Sequence, residues 1–307
     1  MGSADVIEVA DLVKRYATTT AVAGISFTVR RGEVFGILGP NGAGKTTTLE
    51  MIEGLRNPTS GSIHIDGLNV ATQANAVKHR IGVQPQASTF FDGLTLRETL
   101  ILFASFYDRT VDPDALLADV QLQEKATSKV NELSGGQKQR FSIAVGLVNE
   151  PVVLFLDEPT TGLDPQARRN LWDLVRQVNA RGTTVVLTTH YMDEAEVLCD
   201  RIAVMDHGVI VALDTTANLL AAHGGDAIIE FTSDRQVDET LLAGLREVRS
   251  VRHEDGTHFV ATAQPRHTLD DLFGAGRTQG FAIGSLTLKR PSLEDVFLNL
   301  TGHQLRE

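Results

Sequence analysis

Three stretches of the chain are apolar almost without interruption: Val34 to Leu38, Val152 to Leu156, and the centre of Thr183 to Thr189. Runs of this length, bounded by turn residues, mark strands buried on both faces, the condition of central strands in a parallel sheet. Elsewhere the pattern alternates. Val6 to Val13 and Ile25 to Val29 read as half-buried strands, the second with Ile25, Phe27 and Val29 set against Ser26 and Thr28, and Ser62 to Gly67 follows the turn cluster Asn57-Pro58-Thr59-Ser60-Gly61. Helical spacing takes over at Thr47 to Leu55, in a polar stretch through about Lys78, and in the stripe Leu171, Leu174, Val175 and Val178 that follows Pro165. From Thr95 to Val130 strand patterns disappear, and Leu96, Leu100, Phe103 and Ala104, then Leu116, Leu117 and Val120, keep helical spacing. Another stripe, Phe141, Ala144, Val145 and Val148, comes after it, and two strands, Arg201 to Met205 and Val209 to Leu213, flank the turn Asp206-His207-Gly208. Buried strands interleaved with helices predict an α/β fold with a parallel sheet, interrupted by a helical insertion from Thr95 to Val130.

Gly224-Gly225 marks a break. Beyond it, Ala227 to Thr232, a helix near Val237 to Leu245, Val248 to His253, His258 to Ala263, a helix near Leu269 to Phe273, and Phe281 to Leu288 read as βαββαβ, a ferredoxin-like order. The expected division is therefore 1–223 for the larger domain and 224–307 for a small α+β domain.

Composition narrows the function. With 42% hydrophobic and 22% charged residues the chain reads as an ordinary globular protein. No stretch approaches the roughly 18 apolar residues of a membrane span, so the chain is expected to stay in the cytoplasm. A formal net charge of -11 argues against broad contact with nucleic acid or anionic lipid. The single cysteine, Cys199, excludes an intrachain disulfide and any zinc site built on cysteines, and reads as buried filler.

The chemistry concentrates at the ends of the buried strands. Gly39-Pro40-Asn41-Gly42-Ala43-Gly44-Lys45-Thr46 follows one such strand, opens a helix with Thr47, and fits G-x-x-x-x-G-K-[ST], the P-loop. Such a loop turns backbone N–H groups inward at phosphate oxygens, a side chain at Gly42 or Gly44 is expected to intrude on the phosphates, Lys45 supplies a cation, and Thr46 a hydroxyl for Mg2+. Asp157-Glu158 closes the second buried run, where open α/β sheets place ligands. Strand alternation predicts that the two carboxylates point apart, Asp157 toward a metal and Glu158 toward a water attacking a γ-phosphate. Four further residues are each ambiguous alone. Tyr16 is either ordinary packing or a platform for an adenine ring; Gln86, at the end of a short strand, can reach a metal or a water; His190, at the end of the third buried run, is a structural hydrogen-bonding residue or a γ-phosphate contact. Ser134-Gly135-Gly136-Gln137 is a capped helix start or a second grip on a nucleotide.

In their order along the chain, Tyr16, the P-loop, Gln86, Leu133 to Gln137, Leu156-Asp157-Glu158, Gly162-Leu163-Asp164 and His190 closely resemble the nucleotide-binding domain of ABC transporters, over roughly Val6 to Asp214. The resemblance implies an α/β P-loop NTPase fold of the ABC ATPase kind, with an antiparallel β subdomain and a helical subdomain over about 87–150, and ATP and Mg2+ as cofactors. It implies that Tyr16 stacks on adenine, that Gln86 senses Mg2+ and the lytic water, and that Ser134 to Gln137 form the signature loop. Asp164 would belong to the loop crossing a dimer interface, and His190 would be the switch histidine. Two copies would pack head to tail, the signature loop of one completing the P-loop site of the other, as the single copy of each motif in this chain requires. Thr189 to Glu196 and the closing stretch Pro291 to Gly302 resemble drug-resistance ATPases of the daunorubicin-exporter kind. That subgroup implies ABC-2 type membrane permease subunits as partners, contacted through the Thr95 to Val130 segment, and a position on the cytoplasmic face of the membrane. The C-terminal domain reads as a packing or dimer-stabilising appendage or as a ligand sensor. The rival class is a soluble ABC-type ATPase acting on nucleic acid or ribosomes, whose usual coiled-coil arms, zinc-binding cysteines or paired cassettes are missing from this sequence.

Overall fold

A computed structural model describes residues 5–108 and 111–302. The described residues divide into two compact units, the first running up to Thr216 and the second starting at Ala217.

In the first unit, β1 (Asp5–Arg15) and β2 (Thr20–Arg30) form a hairpin, and β3 (Val34–Leu38) leads into the glycine-rich loop and α1 (Lys45–Ile52). Next come β4 (Ser60–Ile65), β5 (Leu68–Asn69), α2 (Ala74–Lys78) and β6 (Ile81–Gln84). The helical segment holds α3 (Leu96–Ala104) and α4 (Pro113–Asp119), then two single 3-10 turns, before α5 (Gly135–Gly146). The unit closes with β7 (Val153–Asp157), α6 (Pro165–Ala180), β8 (Thr184–Thr189), α7 (Met192–Leu198), β9 (Arg201–Asp206) and β10 (Val209–Thr215). α1 begins at Lys45, earlier than the apolar spacing indicated, because Gly44 takes a left-handed conformation (φ 102°) at its N-cap and frees the next residue to be helical.

Two sheets make this unit. One is antiparallel, in the order β2-β1-β4-β5, and the other has the order β10-β9-β3-β8-β7-β6, parallel except for β10 against β9. Every residue of β3, β7 and β8 is buried, as the continuous apolar runs predict. A single hydrophobic cluster runs from Ile7, Val22 and Phe27 through Leu49 and Met51 of α1 to Phe35, Phe155 and Val186 of the large sheet, with Phe27 and Phe35 stacked at 5.3 Å. Truncating a fully buried ring such as Phe35 to Ala would cost about 3 to 5 kcal/mol.

The second unit begins within α8 (Thr216–His223) and continues through β11 (Ala227–Ser233), α9 (Glu239–Ala243), β12 (Val248–Glu254), β13 (Thr257–Thr262), α10 (Pro265–Gln279), β14 (Ile283–Lys289) and α11 (Leu293–Thr301). Its sheet runs β12-β13-β11-β14, every pair antiparallel, which is the ferredoxin-like order. α10 is far longer than the stretch read as Leu269 to Phe273. Pro265 sets its first turn, Gly280 in the left-handed region ends it, and its buried face consists of Thr268, Leu272 and Gly276, two of them not apolar enough to register as a stripe.

Candidate functional site

The parallel pairing register aligns the strand ends: Leu38 of β3 lies opposite Thr189 of β8, Asp157 of β7 opposite Thr188, and Gln84 of β6 opposite Leu156. The loops that leave β3, β7, β8 and β6 therefore open at one edge, and they carry Gly39 to Thr46, Glu158, His190 and Gln86. This is the carboxyl edge where α/β sheets collect ligands.

The glycine-rich loop owes its shape to packing as well as to conformation. A Cβ at Gly39 would sit 2.1 Å from the carbonyl oxygen of Met205. One at Gly44 would sit 2.4 Å from the carbonyl oxygen of Ala21, so the space denied there belongs to the protein rather than to phosphates, a correction to the expectation drawn from the motif. Gly42 meets nothing within 4 Å, and its positive φ of 84° alone favours glycine. Pro40, Asn41 and Ala43 complete the turn, with Ala43 N–H bonded to the Pro40 carbonyl at 3.1 Å. Thr47 follows Thr46 on α1.

Lys45 is 4% exposed. Its Nζ donates to the carbonyls of Gly39 (2.9 Å) and Pro40 (3.2 Å) and lies 3.2 Å from Glu158 Oε1. The other oxygen of Glu158, Oε2, is 3.3 Å from His190 Nδ1 and accepts from Gln86 Nε2 and from Thr161 Oγ1, each at 3.3 Å. Burial alone would raise the Glu158 carboxyl, but Lys45 and His190 outweigh it and hold the group below its ordinary value. Glu158 also has a left-handed backbone (φ 46°), a strained state for this residue type that surrounding contacts must hold. Its N–H donates to Thr188 Oγ1 at 3.0 Å.

Asp157 points elsewhere. Its Oδ1 accepts from Thr46 Oγ1 at 3.2 Å and from the Thr188 hydroxyl. Burial raises its carboxyl despite both hydroxyls and the charge of Lys45. Thr46 and Asp157 offer the hard oxygen donors Mg2+ prefers, with Gln86 bonded to the adjacent Glu158. Among the described residues no three His, Cys, Asp or Glu side chains form a metal cage.

The remaining sequence candidates lie outside this cluster. Ser134 is exposed at the N-cap of α5, in a capping box in which its N–H donates to Gln137 Oε1 (3.0 Å) and its Oγ accepts from Gln137 N–H (3.4 Å). Gly135 and Gly136 start that helix, and a Cβ at Gly136 would come within 3.0 Å of Ala167, so close approach to α6 requires the glycine. Asp164 caps α6, accepting from Gln166 and Ala167 N–H at 2.9 Å. Tyr16, 43% exposed, has Lys14 Nζ 5.4 Å and Arg56 Cζ 5.7 Å from its ring centroid. Cys199 is buried, and its Sγ would lie 2.6 Å from a Cβ at Gly36.

Sequence reasoning missed Thr188, which touches both carboxylate positions, and Thr161. The available signal for Thr188 was a polar residue inside a buried run, two positions before His190. It also missed Glu53, a buried carboxyl at the end of α1.

A model of the ABC transporter family matches residues 22–161. The Nod factor export ATP-binding protein I of Burkholderia pseudomallei (strain 1710b) is 42% identical over 306 residues, covering 97% of this chain and 98% of that protein. The linearmycin resistance ATP-binding protein LnrL of Bacillus subtilis (strain 168) is 37% identical over 311 residues, covering 98% of this chain and all of that protein. Among solved structures, a dimeric post-hydrolysis state of an ATP-binding cassette bound to ADP and Pi aligns with a TM-score of 0.62 at 28% identity, over 68% of this chain and 98% of that one.

Proposed function

The chain belongs to the ABC transporter family, and from that premise we propose that it is the ATP-hydrolysing subunit of an exporter, working as a head-to-tail dimer on separate membrane subunits. ATP is its nucleotide. The observation that carries the reading is the placement of Glu158, gripped by Lys45, His190 and Gln86 at the carboxyl edge of the sheet, while Ser134 stands exposed on a different helix start.

In this reading the backbone N–H groups of Gly39 to Thr46 and the N-terminus of α1 receive the phosphates. Lys45, whose Nζ lies 3.2 Å from Glu158 Oε1, turns its charge to the β- and γ-phosphates. Thr46 and Asp157, with Gln86, would hold Mg2+, whose contribution is to neutralise developing charge on the phosphates. Glu158, kept ionised beside Lys45 and His190, takes a proton from the attacking water, and His190 holds the Glu158 carboxyl and the γ-phosphate in register. Tyr16 stacks on adenine. The second copy brings Ser134 to Gln137 to the γ-phosphate from the far side, with Asp164 at the seam, so bound ATP stabilises the dimer and hydrolysis releases it.

No helix among the described residues is long and apolar enough to cross a membrane; the reading assigns passage of the substrate to separate membrane subunits. The helical segment presents exposed Ile101 and Phe106, with exposed Phe91 just ahead of it, and we assign these to contact with ABC-2 type permease subunits at the cytoplasmic face of the membrane. Export is favoured because the relatives are named for Nod factor export and linearmycin resistance. The domain division is proposed as 1–223 for the ATPase and 224–307 for an accessory domain. Purification with the membrane subunits, followed by ATPase assays across candidate compounds, tests the reading. Stimulation by hydrophobic export substrates is expected, and an ATPase that neither associates with a permease nor responds to any of them contradicts it.

A further inference from the structure

Behind the Glu158–His190 pair lies a buried carboxyl that the mechanism above does not use. Glu194 of α7 is fully buried. Its Oε1 accepts from Trp172 Nε1 of α6 at 3.1 Å. The hydroxyls of Thr160, just past β7, and Thr189, the last residue of β8, face it, as does the Arg168 guanidinium of α6. Cys199, at the end of α7, is close enough to feel its charge. Three polar atoms here, Glu194 Oε2, Thr160 Oγ1 and Arg168 Nε, are buried without a hydrogen-bond partner among the described residues.

The two threonines border the catalytic groups. Thr160 stands two residues after Glu158, in a turn where Thr161 N–H bonds the Glu158 carbonyl (3.2 Å) and Leu163 N–H bonds the Thr160 carbonyl (3.1 Å). Thr189 directly precedes His190; its Oγ1 accepts Tyr191 N–H (2.9 Å), and its carbonyl accepts Gly39 N–H from the phosphate loop (3.3 Å). The strained backbone of Glu158 needs such outside support.

We propose that Glu194 is a positioning residue for hydrolysis: through Thr160 and Thr189 it fixes the spacing between the turn that carries Glu158 and the strand end that carries His190, while Trp172 locks its own orientation. The proposal rests on the assignment of Glu158 and His190 to the chemistry. Burial raises the Glu194 carboxyl, and the hydroxyls, Trp172 and Arg168 offset this only in part. Glu194 Oε2 and Thr160 Oγ1 can satisfy each other in either charge state: the Thr160 O–H donates to Oε2 of an ionised carboxyl, and an O–H on Oε2 donates to Thr160 Oγ1 when the carboxyl is protonated.

The test uses the full-length chain with Mg-ATP and three variants. Glu194→Leu should lower kcat about tenfold to a hundredfold, the range expected when reacting groups shift by a fraction of an ångström, with KM for ATP changed less than about twofold. Glu194→Gln offers an N–H to Thr160 and an oxygen to Trp172, so its kcat should stay within about twofold of the parent. Thr160→Val should lose about fivefold in kcat. Trp172 is the only tryptophan in the sequence. Its emission should be unchanged in Glu194→Gln and shifted in Glu194→Leu. Unchanged kcat in Thr160→Val, or a Glu194→Gln protein that binds ATP yet is as impaired as Glu194→Leu, overturns the proposal even where the leucine variant does not fold. A Glu158→Gln protein that hydrolyses ATP normally would instead overturn the assignment on which the proposal rests.

Discussion

Replacing Glu158 by Gln removes the counter-charge of a lysine that is itself only 4% exposed. At the observed 3.2 Å separation from Lys45 the attraction is about 5 kcal/mol at an effective dielectric of about 20. Not all of it is lost, because Lys45 keeps the carbonyls of Gly39 and Pro40 and the amide oxygen of the variant remains an acceptor. A net destabilisation of the empty protein of about 2 kcal/mol is expected. A bound triphosphate supplies Lys45 with negative charge by another route, so the loss falls on the nucleotide-free state alone. Linkage then converts it into ATP binding tighter by about thirtyfold. Hydrolysis should meanwhile fall by about a hundredfold to ten-thousandfold with the general base removed. Calorimetric titration with Mg-ATP, thermal melting of the empty protein and phosphate-release kinetics read the three effects separately. Near-normal phosphate release would refute Glu158 as the base. An unchanged melting temperature together with unchanged affinity would refute Glu158 as the resting counter-ion of Lys45.

Other changes probe neighbouring parts of the structure. Lys45→Ala should lose most ATP affinity in the same titration, and unchanged binding would remove the basis of the phosphate site. Tyr16→Ala should weaken ATP binding by about 1 to 3 kcal/mol and Tyr16→Phe hardly at all, as base stacking requires; equal effects of the two would point to the hydroxyl instead. Glu53 is buried with Asp157 and Glu50 nearby, which pushes its carboxyl from the ordinary 4.5 up to about 8. Because the folded value lies above the unfolded one, its contribution to stability is full at acid pH and is lost as pH rises through about 8. Glu53→Gln should therefore raise the melting temperature more at about pH 9 than at about pH 5, and a gain independent of pH would contradict the buried carboxyl.

What could be read in advance followed from how each element encodes itself. β3, β7 and β8 are buried along their whole length, so they appear as apolar runs, and the residues just beyond their ends inherit a defined place on the sheet. The loop from Gly39 to Thr46 announces itself through glycines forced by positive φ and by carbonyls of Ala21 and Met205, although those packing partners, far away in sequence, could not be named. α10 was underestimated because threonine and glycine on its buried face break the hydrophobic stripe. Thr160 and Glu194 left no signal of their own, and Thr188 only that of a polar residue inside a buried run. Each is a common residue type whose importance comes only from which strand end lies beside it once the sheet has assembled. Ser134 was legible as a cap, yet its side chain already has a local partner in Gln137, so one copy of the chain displays no second use for it.

The shared site is tested most directly by pairing two damaged copies. Lys45→Ala removes the phosphate-loop cation, and Ser134→Arg blocks the exposed helix start; each variant alone should fail to hydrolyse ATP. In a mixed dimer one interface carries both lesions while the other joins an intact Lys45 to an intact Ser134. Co-expression should therefore restore hydrolysis to about a quarter of the parent value when half of the dimers are mixed. A mixture that stays as inactive as its parts, although both variants fold and form mixed dimers, would contradict a nucleotide held between two copies.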